Sequence, residues 1–193
     1  VTVKCRIGID DMDIGKPLND FADAVIGAGA KVLYVHARKA WLNGLSPKEN
    51  RTIPPLDYAR VYELANRLAP FPVIINGGIE TLEQVEAQFE NVSGVMMGRA
   101  AYHNPMLLSK IDGLVYGDSK PAPSLAEIID IMSEYAAIQM AKGVRLNSIT
   151  RHMIGLAYGL PGARRFRQIM TMDVLKEGAG PHTIKQAFQA LKI

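Results

Sequence analysis

The sequence predicts an α/β protein: the C-terminal half of a (β/α)8 TIM barrel over residues 1–111, followed by an all-α helical bundle over residues 112–193. Three observations carry this prediction. Short apolar runs alternate with helical segments along residues 1–111, which argues for parallel βα units. Two glycine turns, Ile75-Asn76-Gly77-Gly78 and Met97-Gly98-Arg99, close the last two of those runs. In barrels of this kind the loops after the last two strands commonly build a phosphate site. Beyond a linker-like stretch marked by Gly113, Gly117, Pro121 and Pro123, the chain reads as helix throughout.

The elements follow in order. Val1, Val3, Cys5 and Ile7 alternate with Thr2, Lys4 and Arg6, the period of a strand with one buried face. A chain that opens in mid-strand is expected to be a piece whose N-terminal part is missing, with residues 1–7 as the fifth strand of the barrel. A polar loop from Asp10 to Asn19 leads to a helix from about Asp20 to Ala28, stopped by Gly29. The second strand is expected over Lys31 to His36, and a long loop then runs from Ala37 to Pro55 before a helix near Leu56–Leu68. The strands ending at Asn76 and Gly98 flank a helix that Thr81 can cap, with Glu83 in its first turn. In the tail, Ser124 and Glu127 make a capping box ahead of Ile128, Ile129, Met132, Tyr135 and Ala136. Further helical segments are expected near Leu146–Tyr158, Ala163–Met172 and Thr183–Leu191.

Composition excludes several classes. No apolar run is long enough to span a membrane, so no membrane partner is expected. Cys5 is the only cysteine, which leaves no disulfide framework, no thiolate metal site and a cytoplasmic setting as the default. His36, His103, His152 and His182 lack metal-ligand spacing, and no metal is expected. The net charge of +3 falls wholly in residues 112–193. No acid occurs between Glu134 and Asp173, where Lys142, Arg145, Arg151, Arg164, Arg165 and Arg167 all lie. A polyanion responds to such a local field, and a solvated helix face is the alternative.

Several residues could carry chemistry. Gly77, Gly78 and Gly98 let the backbone approach an anion closely, and Arg99 adds a planar charged fork, although Gly-Gly after a strand can be only a tight turn. If Val1, Val3, Cys5 and Ile7 face the helices, Lys4 faces the barrel interior. Its ammonium there needs a carboxylate or an anionic ligand, and the N1–C2=O edge of a flavin, which gains negative charge on reduction, would serve. Cys5 then reads as an apolar filler. His36 ends its strand at the mouth where barrel enzymes place their sites. The loop Ala37–Pro55 holds Arg38, Lys39, Lys48 and Arg51 beside the lone tryptophan, Trp41, a set suited to an RNA backbone with a splayed base.

Five ordered motifs resemble the tRNA-dihydrouridine synthases, most closely the A-type subfamily. They are Val-Lys-Cys-Arg-Ile-Gly; His-Ala-Arg-Lys-Ala with Gly-Leu-Ser-Pro-Lys-Glu-Asn-Arg; Ile-Asn-Gly-Gly-Ile; Met-Gly-Arg-Ala; and Thr-Arg-His-Met with Pro-Gly-Ala-Arg-Arg-Phe-Arg. The resemblance implies an FMN-dependent enzyme that reduces the C5–C6 bond of a D-loop uridine, at position 20 or 20a of tRNA, with NADPH as reductant. It implies that Lys4 and His36 contact the isoalloxazine, and that Asn76, Gly77, Gly78, Gly98 and Arg99 hold the ribityl phosphate. Arg38 would reach the flavin or the target base, while Lys48, Arg51, Arg164 and Arg167 would grip tRNA. The family's proton donor is a cysteine from the first half of the barrel, so no catalytic residue is expected in this chain, which alone should not turn over. A monomeric full-length enzyme is expected. The alternatives are another FMN-dependent TIM-barrel reductase and a non-catalytic tRNA-binding module.

Overall fold

A computed structural model describes residues 1–193. Four short strands, β1 (Val3–Arg6), β2 (Leu33–His36), β3 (Val73–Asn76) and β4 (Gly94–Met96), form one parallel sheet in chain order. Helices α1 (Lys16–Gly27), α2 (Tyr58–Leu68) and α3 (Leu82–Gln88) connect them. The expected alternation of strand and helix is therefore the observed one. Parallel register aligns Val3 with Leu33 and Val73, and Cys5 with Val35 and Ile75. Leu33, Val35, Val73 and Ile75 on that face are fully buried, as are Ala22, Val61 and Leu64 from α1 and α2.

Local chemistry sets the helix ends. α1 begins four residues ahead of the expected Asp20. The Asp13 carboxylate accepts from the amides of Gly15 and Lys16, and Pro17 sits in the first turn, where a fixed φ favours helix and no N–H is missed. The Asp57 side chain accepts from the amide of Arg60 to start α2. Thr81 caps α3, and the full capping box includes Gln84. Buried Arg60 ties α2 to the start of α1, its guanidinium donating to the carbonyls of Ile14 and Gly15 and to the Asn19 side chain.

The chain divides into two units, Val1–Gly98 and Arg99–Ile193. That division precedes the expected one at residue 111, because residues 99–110 pack with the tail. α4 (Arg99–His103) and the 3-10 turn Pro105–Lys110 place Met106 against the tail's core, and the carbonyls of Tyr102 and His103 approach Gly155 too closely for any Cβ. The expected linker is partly helical, since α5 (Ile111–Tyr116) contains Gly113 and ends at left-handed Gly117.

The second unit continues with α6 (Leu125–Ala141), α7 (Leu146–Thr150), α8 (Ala163–Thr171) and α9 (Pro181–Gln189). Ser124 and Glu127 form the expected capping box on α6. The helix expected over 146–158 stops at Thr150, whose hydroxyl donates to the carbonyl of Met170. Three-residue turns follow, and Met153, Leu156 and Ala157 are buried. No helix is long and apolar enough to cross a membrane.

Phe166 of α8 is fully buried in the core of this unit among Ile129, Ile169, Met170 and Ile184. Phe166→Ala should cost about 3–5 kcal/mol through lost transfer energy and a residual cavity. Urea denaturation followed by far-UV circular dichroism measures it, and a loss below about 1 kcal/mol would show that the site collapses around the smaller side chain.

Candidate functional site

The face of the sheet opposite Cys5 carries the polar residues. Register sets Lys4 beside Tyr34 and Ile74, and one step further toward the strand ends it sets Arg6 beside His36 and Asn76, with Met96 next to Asn76. Lys4 is solvent-accessible, whereas His36 and Arg38 are buried. Partial burial, with Arg6 and Arg51 nearby, lowers the Lys4 pKa, an effect the Cys5 thiolate would oppose. Burial, Arg51 and Arg38 likewise lower that of Arg6. The charges acting on Lys4 and Arg6 include other cations and no carboxylate.

The first glycine turn leaves the sheet at this end. Gly77 and Gly78 have φ of 126° and 66°, backbone that L side chains rarely adopt. A Cβ on Gly77 would lie 2.7 Å from His36 Cδ2, and one on Gly78 would lie 2.7 Å from Leu56 Cδ1. The turn therefore rests directly on the imidazole and on the start of the α2 segment. The Tyr58 hydroxyl donates to the Gly77 carbonyl at 2.6 Å, and Asn76 Nδ2 donates to the Met96 carbonyl at 2.8 Å, joining the ends of β3 and β4. The amides of Gly77 and Gly78 donate to no protein carbonyl. Two unused N–H groups on a turn without side chains, at the cationic end of a sheet, suit a phosphate monoester.

The second glycine turn is built differently from the first. Gly98 has ordinary φ and open space where a Cβ would point, so crowding does not require glycine there. Arg99 begins α4 in the second unit.

The loop after β2 is ordered by hydrogen bonds. Arg38 donates to the Pro54 carbonyl, Lys39 Nζ to the Met12 carbonyl at 2.7 Å, and Arg51 to the Pro47 carbonyl at 2.8 Å. Glu49 is engaged by Ser46, whose hydroxyl and amide hold its carboxyl below the usual range. Lys48 is exposed beside a 3-10 turn over Glu49–Arg51. The first unit thus gathers Lys4, His36, Asn76, Gly77 and Gly78 with Arg38, and the same loop carries Lys48 and Arg51. Sequence reasoning gave no role to Arg6, Asn50, Leu56 or Tyr58. Arg6 alone left a signal, as the second charged residue on the Lys4 side of the strand alternation.

In the second unit Phe166, Ile169 and Met170 point α8 into the core, and Arg164 and Arg167 lie on its exposed side without an ion pair. Arg165 is committed to Asp173 at 3.2 Å and to Gln168 at 3.0 Å.

A family described as "Dihydrouridine synthase (Dus)" matches residues 1–192. The chain belongs to the dihydrouridine synthase family. A protein of Shewanella oneidensis named tRNA-dihydrouridine(20/20a) synthase is 47% identical over 192 residues, 100% of this chain and 57% of the relative. Proteins of the same name from Vibrio parahaemolyticus and Escherichia coli K12 are 45% and 44% identical over 188 and 190 residues. They cover 97% and 98% of this chain, against 58% and 55% of their own lengths. The chain thus spans a little over half the length of these relatives.

Cys5 lines a mostly apolar cavity of about 420 Å³ with Arg6, Ile7, Met12, Leu18 and Phe21. Burial raises its thiol pKa from 9.0 to about 11. The thiolate fraction at pH 8 then falls about a hundredfold, and the thiolate is the nucleophile. Iodoacetamide labelling at pH 8, followed by intact mass, should be slower by about that factor in the native chain than in urea. Equal rates would mean that the thiol is open to solvent.

Proposed function

We propose that this chain supplies flavin-holding and tRNA-holding residues of a tRNA-dihydrouridine synthase, which reduces the C5–C6 bond of uridine 20 or 20a in the tRNA D-loop. The observation that carries this reading is the glycine turn with two unused amides seated on His36, at the same sheet end as Lys4 and Arg6. Family membership over residues 1–192 and the names of the relatives support it. The four parallel strands are then the second half of a (β/α)8 barrel, and residues 112–193 belong to a helical tRNA-binding domain.

FMN fits the residues present. The Gly77 and Gly78 amides would donate to its phosphate, with Asn76, Gly98 and the following residue Arg99 completing the motif that the family resemblance implies. Lys4 and His36 would hold the isoalloxazine, with Arg38 in reach of the ring or the base. The chemistry that a bound FMN supplies is hydride delivery to C6 of the uracil, with NADPH as the source of electrons. Lys4 contributes positive charge in a setting that lacks a carboxylate, so an anionic partner there relieves its repulsion with Arg6 and Arg51. The imidazole of His36 is kept in place by the turn packed on it. C5 requires a proton from an acid. Cys5 lies on the opposite face of the sheet, and no acid is assigned to this chain.

Lys48 and Arg51 on the barrel loop, and Arg164 and Arg167 on α8, are the proposed tRNA contacts. Arg164 and Arg167 are three apart on one helix and share a face. Each lost phosphate contact lowers the log–log salt slope of binding by roughly 0.7–0.9. Replacing both with alanine should weaken tRNA binding by this chain and flatten its salt dependence by about 1.5 units, read by filter binding across a salt series. Unchanged affinity and slope would return α8 to a solvated basic face.

A further inference from the structure

The loop after β2 carries two proposed tRNA contacts, yet little of it is regular structure. Between β2 and α2 it has only the 3-10 turn Glu49–Arg51. Besides the bonds of Arg38, Lys39 and Arg51 described above, two side chains tie its arms together. Arg6, on the sheet, uses one terminal nitrogen to donate to the carbonyls of Lys39 and Asn50, each at 2.8 Å. One guanidinium thus joins the outgoing and returning arms of the loop. Asn50 then closes the interior. Its Oδ1 accepts from the Trp41 amide at 2.8 Å, and its Nδ2 donates to the Trp41 carbonyl at 2.7 Å, with a longer bond to the Leu45 carbonyl at 3.5 Å. The side-chain amide pairs with the backbone of residue 41 as a neighbouring strand would, and the residues flanking it, Glu49 and Arg51, lie in the 3-10 turn next to Lys48.

We infer that Arg6 and Asn50 are positioning residues that clamp loop 37–55 into one shape, so that Lys48 and Arg51 are presented to RNA already ordered. The tRNA part of this inference rests on the function proposed above; the clamp itself does not. Ordering long basic side chains only on binding costs conformational entropy, and a fixed loop removes part of that cost. The residue types are specific. Arginine can donate two hydrogens from one nitrogen in a fixed plane, where a lysine ammonium is a point charge on a flexible stem. A side-chain amide carries the donor and the acceptor that residue 41 meets on separate atoms of one planar group.

Trp41 is the sole tryptophan, so its fluorescence reports the clamp directly. Asn50→Ala and Arg6→Lys, made in this chain, should each red-shift Trp41 emission and increase its quenching by acrylamide. Lys48→Ala, which removes an exposed side chain of the same loop, should change neither. If Asn50→Ala does not fold, Asn50→Gln keeps the amide but displaces it, and the same red shift is expected. Trp41 emission and quenching unchanged in the Arg6 and Asn50 variants would overturn the clamp. For tRNA, Asn50→Ala should weaken binding about tenfold, roughly the worth of one charge-assisted contact. Added to Lys48→Ala with Arg51→Ala, it should cost nothing more, because the cations it positions are gone. A full additional loss there would overturn the positioning role, since a merely destabilised loop or a direct contact by Asn50 adds independently. No tRNA binding by the unaltered chain would instead defeat the proposed function of the loop, and the fluorescence result would still decide the clamp.

Discussion

Lys4, Arg6, Arg38 and Arg51 gather near one end of the sheet, and like charges that close destabilise one another unless something accepts from them. For the guanidiniums the protein's answer is the main chain. Arg6 donates to the carbonyls of Lys39 and Asn50, Arg38 to that of Pro54, and Arg51 to that of Pro47. Carbonyl dipoles satisfy hydrogen-bond donors without carrying a formal charge. The same bonds bend residues 37–55 into a defined loop. Electrostatic strain at the sheet and order in the loop are two aspects of one arrangement.

Parallel register decides which residues share that arrangement. Because side chains alternate along a strand, a single step places Val3 and Cys5 on the helix side and Lys4 and Arg6 on the other. The apolar side is closed by α1 and α2, where Leu33, Val35, Val73 and Ile75 lose all contact with water. Burial on that side also explains why the Cys5 thiol stays protonated. A shift of one residue in β1 would exchange the two sets, exposing Cys5 and burying Lys4, at the cost of an unpaired ammonium in an apolar layer.

Much of this was legible in the sequence. The period-two alternation of β1, the alternation of strand and helix, the Ser124–Glu127 box and the apolar face of α8 are local patterns, and local patterns survive folding. Long-range chemistry was not legible. That Arg6 reaches residue 50, or that Leu56 rather than a ligand crowds Gly78, depends on tertiary placement that no spacing rule encodes. The early start of α1 is hidden in the sequence for a different reason. Asp13 caps from outside the helix, and Pro17, inside the loop expected over 10–19, favours the first helical turn. The division at residue 98 was hidden because Gly113 and the prolines of 121 and 123 mark a boundary by composition, while the packing of Met106 marks it by contact.

The glycines of the two turns separate two reasons for a residue that sequence alone cannot distinguish. Gly77 and Gly78 are fixed by the fold, since their φ values and the contacts with His36 and Leu56 forbid a Cβ before any ligand is considered. Gly98 has neither demand. At Gly77 the unused amide, not the absent side chain, is what points outward to chemistry. Substitution at Gly77 therefore acts on the local fold, whereas a Cβ at Gly98 meets no protein atom within 4 Å.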